Sequence, residues 1–272
     1  MYRMGVAAFF RSCALKFLAS SAMLAFFVAP AFAKTLRANC RKSSTNLQTV
    51  IDSASDGDVI AISGVCLGNF VVPGTSLTLR GVGKRPTLDG GGGAGVVVSW
   101  IKSSNQTAST RLTIRGLTLQ NGGGGIGGSF LPLTLTRSVI ANNSGYGIGS
   151  IFADIVIDSS TISNNEVGIS LSQGSHATIT KTWFANNSEV GLELSQATST
   201  ISNSLFSGNG TANSRSNGGG IENFESDSTI SDSTITRNVG ANGAGIFTWG
   251  GLTLTNSVVS YNVSVGAADP GA

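Results

Sequence analysis

An eleven-residue pattern recurs every twenty-two positions through the middle of this chain, and few folds can accommodate such a repeat. It runs from Ile155 to Asn165, returns from Ala177 to Asn187, and returns again from Ser199 to Asn209. The same template lies without gaps on Leu112 to Gly122, Leu133 to Asn143, Ser228 to Asn238 and Leu252 to Asn262, giving seven copies. Within a copy the first and third positions are mostly apolar or small and the eighth is always apolar. Polar residues alternate with them, which is the two-residue period of a strand and not helical spacing. A second apolar position follows a glycine between copies, at Ile126, Ile148, Ile169, Leu192, Ile221 and Ile246, so each repeat holds three short strands. One such repeat cannot bury its own apolar face, so the copies must stack, about 4.8 Å apart. The expectation is an all-β coil of parallel strands with a continuous interior.

Stacking turns sequence columns into ladders. The eighth position becomes an interior column of Leu119, Ile140, Ile162, Phe184, Phe206, Ile235 and Val259, each burial stabilising by roughly 1.5–3 kcal/mol. The sixth reads Leu117, Ser138, Ser160, Thr182, Ser204, Ser233 and Ser257. It also points inward, so its hydroxyls are expected to hydrogen-bond along the stack and to turn carbonyls. The eleventh, after Gly122, is asparagine six times over, from Asn143 to Asn262; asparagine suits a repeated turn because it tolerates left-handed backbone and its amide can bond its own copy one coil away.

The Asn-Asn then Gly-Ile-x-Leu rhythm, together with Thr87 to Gly92, resembles the pectate-lyase-like right-handed parallel β-helix repeat proteins. The resemblance covers nearly all of the chain after residue 33. It implies a right-handed parallel β-helix but not one activity, because this architecture hosts lyases, hydrolases, epimerases, adhesins and many non-enzymes.

Residues 1–33 read as a secretory leader. Arg3, Arg11 and Lys16 precede the apolar run from Phe17 to Val28, and Ala31-Phe32-Ala33 is a small-residue cleavage site. The run is short for a membrane span of about 20 residues, so a secreted, periplasmic or surface-held product without a transmembrane segment is expected. The full chain has 17 Lys and Arg against 14 Asp and Glu; the leader takes three bases and no acid, leaving 14 of each. A net charge near zero provides no electrostatic footprint for nucleic acid. Cys13 leaves with the leader, and Cys40 and Cys66 remain as a pair expected to form a disulfide in an oxidising compartment. Metal binding would need further ligands, and His176 is the one histidine.

Residues 34–57 form an expected N-terminal cap. Thr45-Asn46-Leu47-Gln48 has the capping-box form, and Leu47, Val50, Ile51 and Ala54 share one helical face before Gly57. The β-helix itself spans 58–272, with two turns longer than their neighbours: Gly210 to Gly219 and Val239 to Ala244. After Asn262 no Gly-Ile strand follows, so the last residues should fray and the final coil is open to self-association.

The resemblance implies that chemistry sits outside the strand led by the glycine-isoleucine pair. There the outward row reads Gly127, Gly149, Ser170, Glu193, Glu222 and Phe247. Glu193 and Glu222 are the candidate catalytic pair, and Arg215, Phe247 and Trp249 the candidate substrate contacts: carboxylates for proton transfer or calcium, flat rings for a sugar face. No other cofactor is implied, and a polysaccharide is the expected partner. Against catalysis, the sequence has no Asp-Asp, no Asp-Pro-His-Glu and no basic residue in that row. Two functions therefore stand: a non-catalytic glycan-binding or surface β-helix, and a lyase or glycoside hydrolase acting on an acidic polysaccharide.

Overall fold

In the computed structural model, residues 33–41, 46–84, 86–104 and 106–266 are described. They belong to the unit Phe32–Ala272 into which the chain divides. The proposed leader and Cys13 lie outside the described residues, apart from Ala33. Among the described residues the strands form parallel sheets of ten, nine and eight strands, each built from every successive coil, with a two-stranded addition at the end. The chain is an all-β right-handed parallel β-helix. Its register follows the twenty-two-residue template: Ile140, Ile162, Phe184, Phe206 and Ile235 are consecutive partners in the nine-stranded sheet. All five are fully buried, and Phe184 and Phe206 stack with centroids 4.3 Å apart. Val259, in the last described coil, is 44% exposed.

The polar ladders divide the work more finely than the sequence suggests. Each hydroxyl of the sixth column donates to a carbonyl two residues earlier in its own coil, as Ser160 does to Asp158 and Ser204 to Ser202. The serines of the column also accept the backbone N–H of the coil before, as Ser204 does from Thr182 at 3.2 Å. The stack is thus linked through backbone, not hydroxyl to hydroxyl. The two asparagines of each Asn-Asn turn also have separate tasks. The first takes the left-handed conformation, at φ near 55° in Asn142, Asn164 and Asn186. The second keeps ordinary φ and forms the buried amide ladder from Asn143 through Asn165, Asn187, Asn209 and Asn238 to Asn262. The expectation that a single asparagine serves both purposes is corrected accordingly. The glycine of each Gly-Ile pair sits where coils approach closely. A Cβ on Gly168 would lie 2.3 Å from the Gly191 carbonyl and 3.0 Å from the Asn187 amide.

At the first coil the helix Leu47–Asp52 buries Leu47 and Ile51. Its N-cap is Asn46, whose side chain accepts the Gln48 N–H at 2.9 Å, one residue later than the capping-box reading; Thr45 lies outside the described residues. Gln48 explains how an open sheet edge is managed here. Its amide oxygen accepts Val71 N–H at 2.8 Å and its amide nitrogen donates to the Val71 carbonyl at 2.9 Å, as a neighbouring strand would. Cys40 and Cys66 form the expected disulfide. At the far end Val263–Ser264 pairs with Val239–Gly240, so a short strand stands where fraying was expected. No helix among the described residues is long and apolar enough to cross a membrane.

Candidate functional site

The outward row of the eight-stranded sheet is arranged as its spacing requires. Ser99, Gly127 and Gly149 are consecutive partners, followed by Ser170, Glu193, Glu222 and Phe247. Glu193 and Glu222 are therefore direct neighbours on adjacent strands, with backbones about 4.8 Å apart. Two positions further along, a second outward row passes through Ser129, Ile151, Ser172, Ser195, Phe224 and Trp249. There Trp249 is 66% exposed and rests tilted against Phe224 at 4.9 Å.

The first of the long turns reaches Glu222, and the second holds the residue that does so. Asn217, in the first, donates from Nδ2 to Glu222 Oε1 at 2.9 Å. Asn242, in the second, donates to Asn217 Oδ1, and the Asn217 carbonyl accepts Asn242 and Gly243 N–H. The two turns thus lock together over Glu222. Burial pushes the Glu222 carboxyl above its ordinary range, the Asn217 amide partly opposes this, and the Glu193 charge adds to the rise. The Arg215 backbone is held by a third glutamate: its N–H donates to Glu189 Oε2 at 2.7 Å, beside Ser214 Oγ on the same oxygen. The insertion's polar reach to Glu222 is through Asn217, a residue that carried no charge signal in the sequence.

Further along the same row the structure adds a cleft that the sequence did not point to. A hollow of about 400 Å³ is lined by Tyr146, Gly149, Ser150, Ile151 and Ser170 among others. A second, of about 310 Å³, continues it past Trp100 and Gly127 and shares Tyr146 and Gly149. The tyrosine ring lies over Gly149, where a Cβ would sit 3.1 Å from it. Outward glycines inside strands were the available signal, because they weaken a strand and often mark close approach by another group. Directly after Ser129 and Ile151, Phe130 and Phe152 stack at 4.9 Å with left-handed backbone, and Lys102 Nζ lies 3.6 Å from the Phe130 ring centroid. Bulky residues rarely accept that conformation.

His176 is remote from this face. It begins a strand of the ten-stranded sheet and bonds Thr198 Oγ1 through Nδ1. Trp183 is half-exposed on the nine-stranded sheet. For a metal, Glu193 and Glu222 offer two carboxylates, whereas calcium takes six to eight oxygens. No group of three or more His, Cys, Asp or Glu side chains suited to a metal gathers among the described residues.

The family model described as the right handed beta helix region matches residues 95–262, more than half of the chain. This chain belongs to that family. Among solved structures, an alginate lyase from Paenibacillus sp. str. FPU-7 superposes with a TM-score of 0.61 at 15% identity, covering 85% of this chain and 99% of the other. The pectate lyase Pel9A gives 0.60 at 14% identity over 87% and 78% of the two chains. ORF18 of Geobacillus virus E2 gives 0.54 at 11% over 83% and 57%. At these identities the likeness shows the fold alone. No curated protein matches the chain.

Proposed function

We propose that this β-helix binds an extended glycan along the outer face of its eight-stranded sheet and does not cleave it. The observation that carries this reading is one continuous track across the coils. A floor poor in side chains at Gly127 and Ser170, with the Tyr146 ring laid over Gly149 between them, runs into Glu193 and Glu222 and then to the rings of Phe247 and Trp249. Bare backbone admits a flat pyranose, an aromatic ring stacks on its apolar face, and carboxylates accept from its hydroxyls. Two neighbouring carboxylates repel a polyuronate, so the stretch over Glu193 and Glu222 takes a neutral or amine-bearing sugar. Export agrees with a disulfide and with the fold of the lyase neighbours, and a leader ending at Ala33 would supply it.

The second reading, glycoside hydrolysis or elimination, is favoured by Glu222. A carboxyl raised by burial can serve as a general acid, and Glu193 on the adjacent strand is the second carboxylate that a glycosidase needs. One experiment separates the two. Neutral, amino and uronate polysaccharides are titrated with the purified protein in a calorimeter, with and without calcium, and the same mixtures are assayed for unsaturated products and new reducing ends. Saturable binding of a neutral or amino glycan without products supports the binding reading. Turnover that is lost in Glu222→Gln establishes the enzyme, and binding of none of the polymers overturns both.

A further inference from the structure

Asp58 is the most enclosed carboxylate described, and its surroundings are unusual. It sits in the turn before Val59–Ser63 and is 2% exposed. One oxygen accepts the backbone N–H of Lys34 at 2.9 Å, and the other accepts Ser55 N–H at 2.8 Å. These amide donors hold its carboxyl below the usual range, against the opposing effect of burial, with a smaller contribution from the Lys34 charge. Lys34 Nζ lies 3.6 Å from it, on a side chain that is half-exposed. Asp56, in the same turn, is turned to the Ser76 N–H. A buried negative charge is thus held largely by neutral amides, one of them belonging to the residue after Ala33.

Lys34 is itself fixed in place. Its carbonyl accepts Val59 N–H at 2.9 Å, and the strand Thr35–Asn39 that follows pairs in register with Val59–Ser63. Ala33 is exposed and precedes that strand, and Ala31-Phe32-Ala33 has the small-x-small form that leader peptidases cut behind. We propose that Asp58 is the receptor for the α-ammonium group created when the chain is cut between Ala33 and Lys34. Hydrolysis by a leader peptidase consumes one water. Ala33 departs with the new carboxylate and Lys34 keeps the amine, which takes a proton at neutral pH. The nitrogen already 2.9 Å from Asp58 Oδ1 then changes from a neutral donor to a cation, and the amide hydrogen bond becomes an ion pair. Processing thereby anchors the first strand of the ten-stranded sheet through the mature amino terminus. This site is separate from the glycan track, and its test does not depend on that reading.

The test uses the full chain exported from a secreting bacterial host. Intact mass and amino-terminal sequencing of the exported product should begin at Lys34. Acylation of the α-amine by a water-soluble active ester, followed across pH by peptide mass spectrometry, should then show a pKa raised above the ordinary value of about 7.7–8.0. Near neutral pH that is a rate about tenfold below that of a free peptide with the same first residues, since one unit of pKa is a tenfold change in free amine. Urea should abolish the difference. Asp58→Asn should bring the α-amine back to its ordinary pKa. Lys34→Ala, which removes only the side-chain cation, should leave the α-amine protected and keeps the test open if Asp58→Asn does not fold. A product beginning elsewhere, or an α-amine in the folded wild type that reacts like the peptide, overturns the proposal.

Discussion

Replacing Asn187 by alanine tests whether the asparagine ladder is cooperative along its length. The Asn187 amide makes four hydrogen bonds in a fully buried site. Nδ2 donates to the Ile162 carbonyl at 3.1 Å and to Asn209 Oδ1 at 2.8 Å, while Oδ1 accepts from Asn165 N and Nδ2, both at 3.1 Å. Asn209 Oδ1 still receives the Asn187 backbone N–H, and Asn165 Nδ2 still has the Ile140 carbonyl. Alanine therefore strands two donors, the Asn165 backbone N–H and one hydrogen of its amide. At about 1–3 kcal/mol for each stranded buried group, the expected loss is about 2–6 kcal/mol. At the start of the ladder Asn143 accepts only Gly122 N–H and donates to Asn165 Oδ1, which keeps the Asn143 backbone donor. Asn143→Ala strands one donor and should cost about 1–3 kcal/mol. Urea unfolding followed by circular dichroism gives both values, and hydrogen exchange should show the Asn165 amide losing protection only in Asn187→Ala. Equal losses in the two variants, or a loss below about 1 kcal/mol at Asn187, would refute the account of the ladder.

Phe206→Ala removes half of the interior ring pair and should destabilise by about 3–5 kcal/mol in the same urea assay, with Phe206→Leu losing much less. Glu222→Gln should change how stability depends on pH. A carboxyl whose folded pKa is raised contributes stability that is complete below its ordinary pKa and lost as pH rises through the folded value. Thermal melts should therefore converge for wild type and variant in acid, with Glu222→Gln the more stable near neutrality. Tyr146→Ala, at a half-exposed ring, should leave the melting temperature nearly unchanged while weakening glycan binding about tenfold by calorimetry, an amount set by one lost stacking contact. Reducing the Cys40–Cys66 bond, which closes a separation of 26 residues, should cost roughly 3 kcal/mol, read from urea unfolding with and without reductant.

The coil, its three strands per turn and the order of residues in the ladders of the seven template copies were legible in the sequence, because a fixed period is a local property that stacking converts directly into contacts. Leu119, Ile140 and Ile162 can meet in only one register if their apolar faces are to be buried together. The same logic placed Glu193 beside Glu222. Division of the Asn-Asn turn was not legible, since both asparagines accept a left-handed backbone and only packing chose Asn164 for the turn and Asn165 for the ladder. Where the period breaks, no copy above or below dictates position, and tertiary contact decides. Arg215 was the charged residue of its turn, yet Ser214 and the Arg215 backbone settle on Glu189, leaving Asn217 to reach Glu222. Tyr146 is likewise a turn-edge residue whose ring found its place only because Gly149, in the same strand, leaves room for it. Repetition thus determined the scaffold from sequence alone, and the site was decided by the few side chains that repetition does not constrain.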